Sequence, residues 1–284
     1  MLRRDELKLI CGKKSIHGRQ RLTMFRELEV AKKLALEAGA LILRHFADSV
    51  EVSHKDSGEV VTPADREADD FIRKGLADAF PADAIYSEET ADSSERLSRT
   101  RVWIVDPLDG TSNFIERGDN FSVSIGLSVG GRAMLGVVYN PRRYELFAGG
   151  YGIGVTLNDA PVHVSDAKDL SKARLLVSKK EMKKGLEGLF PSLSLIPMAS
   201  MAYKLAMVAT GLADGVFTLK PRKEWGTCAG IALVNASGGK AVLLNGKDIC
   251  FNRADLKQQA GFVAAGHALL PLLFDEVQKI ISKS

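Results

Sequence analysis

From Met24 to about Asp48, apolar side chains recur at helical spacing. Leu28, Ala31, Leu34, Ala35, Ala38 and Ile42 fall on one stripe, which predicts an amphipathic helix. A second helix is predicted after Thr62-Pro63, with Ala68, Phe71, Ile72 and Leu76 on its inner face. Threonine suits the N-cap, and proline suits the first helical position, where its missing N–H has no partner to lose. The period then changes. Val102-Trp103-Ile104-Val105 is continuously apolar, as in a strand buried on both faces, whereas Ser122 to Val129 alternates with Val123, Ile125, Leu127 and Val129 on one side. Gly130-Gly131 predicts a hairpin turn into a strand over Ala133 to Tyr139; Tyr144 to Ala148 reads as another strand and Asn158-Asp159 as another turn. Beyond about residue 165 the pattern is mixed α/β. It holds a strand at Leu175 to Ser178, a helix from Ala202 to Gly211, and a helix from Thr227 to Ser237 closed by Gly238-Gly239.

This pattern is of the α/β (α+β) class, with helices and sheets layered on each other and a boundary near residue 160. It divides the chain into a basic, flexible extension over 1–23, an α+β lobe over 24–160 and an α/β lobe over 161–284. Hydrophobic residues make up 45% of the 284, ample for a core, and no apolar run approaches the roughly 18 residues of a membrane helix. Nor does an apolar stretch of signal-peptide type follow the basic N-terminus. The net charge of +4 is concentrated there: Arg3, Arg4, Lys8, Lys13, Lys14, Arg19 and Arg21 outweigh Asp5 and Glu6, leaving the rest close to neutral. A nucleic-acid binder would spread its charge over a folded face, so no nucleic-acid partner and no membrane are expected for the body of the protein. The leader itself reads as an extension, an RNA-binding arm, a targeting peptide, or sequence upstream of a start at Met24. Cys11, Cys228 and Cys250 form no metal-ligand spacing and read as free thiols of a cytoplasmic protein. The five histidines are scattered.

The chemistry concentrates in Trp103-Ile-Val-Asp-Pro-Leu-Asp-Gly-Thr-Ser-Asn-Phe114. A buried strand runs into Asp106 and Asp109, and Pro107 stiffens the exit. With the Leu108 carbonyl between them, the two carboxylates offer the hard oxygen ligands that suit Mg²⁺. A helix beginning after Gly110 would present free N–H groups to a phosphate. Alone, an Asp-Gly pair is a turn with a helix cap. Two other acidic sites accompany it: Glu88-Glu89 after the strand-like Ile85-Tyr86-Ser87, and Asp65 in the first turn of the second helix. By themselves these read as a solvated loop and a dipole-stabilising acid.

Taken in order, Val60-Val-Thr-Pro-Ala-Asp65, Ser87-Glu-Glu89, Asp106-Pro-Leu-Asp-Gly-Thr111, Gly136-Val-Val-Tyr139 and Glu224-Trp-Gly-Thr-Cys-Ala-Gly230 with Gly238-Gly239 carry a resemblance. From about Met24 to residue 270 the chain resembles the inositol monophosphatase superfamily of Mg²⁺-dependent, lithium-sensitive phosphomonoesterases. The resemblance implies an αβαβα sandwich, a homodimer, a small phosphorylated metabolite as partner, and two or three Mg²⁺ ions. It implies that Glu88, Asp106 and the Leu108 carbonyl hold the first ion. Asp106 and Asp109 would hold the second, and Glu88 would reach a third, mostly hydrated one. Gly110 and Thr111 would offer N–H groups to phosphate, and Asp65, Glu88 and Thr111 would serve catalysis, Asp65 and Thr111 by orienting or deprotonating the attacking water.

One position departs. The family motif reads Trp-Asp where this chain has Trp225-Gly226, and that aspartate would be a ligand of the second metal. Losing one electrostatic stabiliser of the transition state typically costs roughly 10² to 10³ in rate, so impaired activity is expected. Ser112, Lys220, Arg222 and Glu224 are the candidate substrate contacts. The stretch from Lys220 looks somewhat like bisphosphate nucleotidases, and Lys220, Arg222 and Lys223 read either as neutralising a second phosphate or as a solvated loop. Inositol phosphate is the default substrate class, 3′-phosphoadenosine 5′-phosphate the alternative. A non-catalytic regulator is the reading from another class.

Overall fold

The computed structural model describes residues 24–47, 52–54, 60–255 and 260–282. The basic extension read over 1–23 lies outside them. The two N-terminal helices form as the stripe predicts: α1 spans Phe25–Ala47 and α2 spans Pro63–Ala79, the latter after two short strands that pair antiparallel, β1 (Ser53–His54) and β2 (Val60–Val61). They pack on each other and on a seven-stranded sheet whose spatial order follows the chain: β3 (Ala84–Ser87), β4 (Arg101–Asp109), β5 (Ser122–Val129), β6 (Arg132–Asn140), β7 (Glu145–Gly150), β8 (Gly154–Leu157) and β9 (Ala160–Val162). Gly130-Gly131 and Asn158-Asp159 make the turns expected of them, all four residues with positive φ.

A second sheet of five strands begins at β10 (Arg174–Ser178) and adds β11 (Ser194–Met198), β12 (Gly215–Thr218), β13 (Gly239–Leu243) and β14 (Phe262–Gly266) in the order β11-β10-β12-β14-β13. Between the sheets lie α6 (Met201–Ala209) and α7 (Cys228–Ala236). The short α4 (Lys179–Met182) and α5 (Leu186–Leu189), with the terminal α8 (Leu270–Ile281), cover the far face of the second sheet. The result is the five-layer αβαβα sandwich. Among the described residues no helix is long and apolar enough to cross a membrane.

The alternation in β5 explains the layering. Val123, Ile125, Leu127 and Val129 join Trp103 and Val105 of β4 in the core under α1 and α2. The opposite face presents Ser122, Ser124, Gly126 and Ser128, small enough to seat α7. A Cβ on Gly126 would lie 2.8 Å from the Ala229 nitrogen, and one on Gly136 would overlap the Ala229 carbonyl. Backbone-to-backbone approach of this kind needs glycine. Gly136→Ala is therefore expected to destabilise the protein by about 3 kcal/mol or more through overpacking. In thermal unfolding, Gly188→Ala, with nothing near its added methyl, should stay close to wild type. Equal melting temperatures for the two variants would refute this account.

Candidate active site

The strand predicted to end at Val105 continues to Asp109, so Asp106 and Asp109 lie within β4. Its register against β5 is broken between these two residues. The irregularity admits Pro107, which could not donate to a regular ladder. Gly110 then takes φ 102° and caps α3 (Thr111–Ile115), bringing Thr111 back over the strand end. A Cβ on Gly110 would sit 2.8 Å from the Asn120 carbonyl oxygen, so the turn requires glycine twice over.

Asp65 is the third residue of α2 and only 2% exposed. Its Oδ2 accepts from the Thr62 amide (2.8 Å) and hydroxyl (2.6 Å), a capping arrangement that holds the carboxylate rigidly. Its Oδ1 lies 3.1 Å from Thr111 Oγ1, which is also 3.0 Å from the Leu108 carbonyl oxygen. Glu88 follows β3 and is placed by its amide, which donates to Val105 at 3.1 Å. Asp69, missed by the sequence reading, steadies the same loop: buried one turn beyond Asp65 on α2, it accepts from Ser87 Oγ and, at 3.0 Å, from Thr90 Oγ1. The signal was available, since a carboxylate four residues after Asp65 falls on the inner face of α2.

Asp106 is 2% exposed, and its Oδ1 has no hydrogen-bond partner. Burial pushes its carboxyl well above the usual range, and Glu88, Asp109 and Asp65 push it the same way. Asp109 is also raised by burial, but here donors and cations oppose the effect. Its Oδ2 accepts from the Ala202 amide (2.6 Å) and Ser200 Oγ (2.8 Å) at the start of α6. Ser200 holds φ 53° to do so and lies 3.0 Å from Ser122 Oγ.

Lys204, also unforeseen, is 2% exposed; its Nζ donates to the Met198 carbonyl at 2.9 Å. Burial lowers its ammonium to about 8, with Asp109 opposing. A lysine within the otherwise apolar run of α6 was the sequence signal.

At Gly226 a Cβ would meet a single neighbour, Asp106 Oδ2 at 3.7 Å. The preceding Trp225 is held by the edge of Tyr86 (5.5 Å between centroids) and by Ser124 Oγ, which donates to its carbonyl at 3.3 Å. The position that lacks an acid thus faces Asp106 directly. Among the described residues, no three His, Cys, Asp or Glu side chains are gathered closely enough to hold an ion between them. A cavity of about 580 Å³ is lined by Asp70, Arg73, Lys74, Tyr86 and residues of the loop from Ser87 to Ser93 rather than by the acids of β4.

The candidate substrate contacts divide. Ser112 and Lys220 are exposed. Arg222 is half-buried and ion-paired to Glu181 at 2.6 Å. Glu224 is overturned as a substrate contact: it is fully buried, and its carboxylate accepts from the amides of Asn252 (2.7 Å) and Arg253 (3.2 Å). It anchors that segment behind the site, and burial raises it to about 7.

Known proteins agree with this architecture. The sequence profile of the inositol monophosphatase family matches residues 26–282. Inositol monophosphatase 3 of Solanum lycopersicum is 36% identical over 224 residues, covering 75% of this chain and 84% of the relative. Nus factor SuhB of Escherichia coli (strain K12) is 34% identical, over 75% and 83%. Among solved structures, an IMPase from Thermotoga maritima aligns with a TM-score of 0.79 at 26% identity, over 91% of this chain and 99% of that one. The extragenic suppressor protein suhB of Bartonella henselae aligns with 0.77 at 27% identity, over 89% and 99%. By sequence and by fold, the chain belongs to the inositol monophosphatase family.

Proposed function

We propose that this chain is a Mg²⁺-dependent phosphomonoesterase acting on a small phosphorylated metabolite, with inositol monophosphate as the default substrate and with its activity impaired by Gly226. The observation that carries the reading is the unpartnered Oδ1 of Asp106, buried among Glu88, Asp109 and Asp65. Buried carboxylates in such company are stable only when protonated or when a cation joins them. Glu88, Asp106 and the Leu108 carbonyl would hold that cation, with Asp106 and Asp109 offering a second position. When bound, Mg²⁺ neutralises the phosphate charge and raises the nucleophilicity of the attacking water.

The protein's own contribution is positional. Asp65, fixed by Thr62, accepts a hydrogen bond from the Thr111 hydroxyl, so that as this oxygen takes a proton from water its own proton can pass to the Asp65 carboxylate. The amides of Gly110 and Thr111 are the candidate phosphate donors. Arg222 has its charge matched by Glu181, which weighs against a second substrate phosphate there. The test is phosphate release from inositol 1-phosphate, fructose 1,6-bisphosphate and 3′-phosphoadenosine 5′-phosphate, with Mg²⁺ and with a chelator. Slow release from inositol 1-phosphate, abolished by the chelator, is expected. No release by this chain or by Gly226→Asp, both folded, would sink the catalytic reading. It would favour the reading as a non-catalytic regulator.

A further inference from the structure

On sequence alone Lys220, Arg222 and Lys223 read either as neutralising a second phosphate or as a solvated loop. The fold brings another basic segment, Lys179-Lys180, against them. Glu181, the next residue of α4, is 6% exposed; its carboxylate accepts from Arg222 Nη2 (2.6 Å), Thr218 Oγ1 (3.0 Å) and the Leu219 amide (2.9 Å). Both segments are therefore carried on an anchored backbone. Lys223 Nζ lies over the Trp225 ring, 4.7 Å from its centroid. Glu181 matches Arg222, whereas Lys179, Lys180, Lys220 and Lys223 have no ion pair among the described residues.

These lysines border the acidic site from two directions. Strands β10, β11 and β12 run parallel, with Ser178 opposite Met198 at the carboxyl ends of the first two. From β10 the chain leaves to α4 and α5 on the far face of the sheet; from β11 it leaves to α6 on the inner face. Connections that part to opposite faces open a crevice at the carboxyl ends of the strands, where open α/β sheets take ligands. Lys179 follows β10 there, and Ser200, whose hydroxyl donates to Asp109 at 2.8 Å, follows β11. Residues 220–223 lead from β12 to Trp225 and Gly226, where an added Cβ would lie 3.7 Å from Asp106 Oδ2. An acidic centre that takes an ester phosphate through a cation, rimmed by unpaired ammonium groups, is complementary to an anion with two separate charged groups. We propose that Lys179, Lys180, Lys220 and Lys223 form a second anion subsite, and that the substrate is a small phosphomonoester carrying a further phosphate, a sugar or nucleoside bisphosphate. The inference rests on the phosphatase reading above and, within it, ranks such a metabolite over inositol 1-phosphate. Arg222 orders the subsite through Glu181; the lysines supply its free charge.

The test compares, on the full chain, ligands that differ by one phosphate. Fructose 1,6-bisphosphate is set against fructose 1-phosphate, and 3′-phosphoadenosine 5′-phosphate against adenosine 3′-monophosphate. Affinity is measured by calorimetry with Mg²⁺, and phosphate release is followed in parallel. Wild type should hold each bisphosphate about tenfold or more tightly than its monophosphate, the effect of two cations within a few ångströms of a phosphate. Lys180→Gln/Lys220→Gln, at two exposed positions, should erase that advantage, with the monophosphate affinities and the melting temperature unchanged. Lys33→Gln/Lys74→Gln, which removes the same charge from exposed positions of α1 and α2, should keep it. Equal affinities within each pair would overturn the proposal. So would an advantage that survives Lys180→Gln/Lys220→Gln, or one lost equally in the α1 and α2 control. Lysine-dependent binding of bisphosphates with no phosphate released by wild type or by Gly226→Asp would uphold the subsite and bring down the phosphatase reading.

Discussion

Gly226→Asp is expected to raise Mg²⁺-dependent phosphate release by roughly 10²- to 10³-fold, the usual worth of one preorganised electrostatic group at a reacting phosphate. Three features make the gain plausible in this fold. The backbone at Gly226 is not in the left-handed region, so an L-side chain fits. The added Cβ meets only Asp106 Oδ2, at 3.7 Å, which is ordinary contact. Trp225 is already clamped by Tyr86 and Ser124, so the new carboxylate would enter a prepared geometry. The same carboxylate joins an acidic cluster and should lower stability in the absence of metal, an effect that added Mg²⁺ reverses by binding the folded state. Phosphate release and melting temperature, each with Mg²⁺ and with chelator, read both effects. A variant that folds, binds Mg²⁺ and releases phosphate no faster than wild type would show that residue 226 does not limit the reaction.

Asp106→Asn should separate activity from stability in the opposite sense. Asparagine cannot act as an anionic ligand, so phosphate release is expected to fall more than about 10³-fold, since this residue alone touches both candidate cation positions. Without metal, the variant should be more stable than wild type. The carboxyl of Asp106 is raised by burial and by its acidic neighbours, so the folded state holds its proton more tightly than the unfolded chain does. Stability therefore falls as pH rises above the unfolded value of about 3.8. Asparagine is spared that loss. The variant's advantage should be small near pH 4 and widen toward pH 8, reaching about 1 to 2 kcal/mol, or roughly 2 to 8 °C in melting temperature. An Asn variant less stable than metal-free wild type at pH 8 would mean the cluster is not under electrostatic strain.

The legible part of the site consisted of residues close together in sequence. Asp106-Pro-Leu-Asp-Gly-Thr111 carries its acids, its stiffening proline and its obligatory glycine within six positions, and the fold uses each where the motif puts it. Two limits were local. The apolar run that marks the strand stops at Val105, with Pro107 at its expected exit, whereas a register irregularity between Asp106 and Asp109 lets β4 continue. Glu224 is a candidate substrate contact in the sequence, within the stretch from Lys220 that looks somewhat like bisphosphate nucleotidases. Its direction was set by the amides of Asn252 and Arg253, far away in the chain.

Sequence periodicity alone determined α1, α2, the strands of the first sheet up to β7, and the turns at Gly130-Gly131 and Asn158-Asp159. In α1 and α2 one face is buried and the other not, β4 is a continuous apolar run, β5 alternates large apolar with small residues, and the turns demand positive φ; each leaves a local pattern. The strands β11 to β14 and helix α8 left none that was read. The burial of β12 and β14 on both faces removes alternation, and Pro197 is admissible in β11 only because that strand lies at the edge of its sheet. Likewise the family resemblance implied an aspartate where this sequence has Gly226. Tertiary structure alone decided that this position faces Asp106 and that Ser200 and Ala202 serve Asp109. The physical reason is that a buried charge takes its partners from whatever elements the packing brings within a few ångströms. For Asp109 those partners lie about ninety residues away in the chain, on a helix held between two sheets.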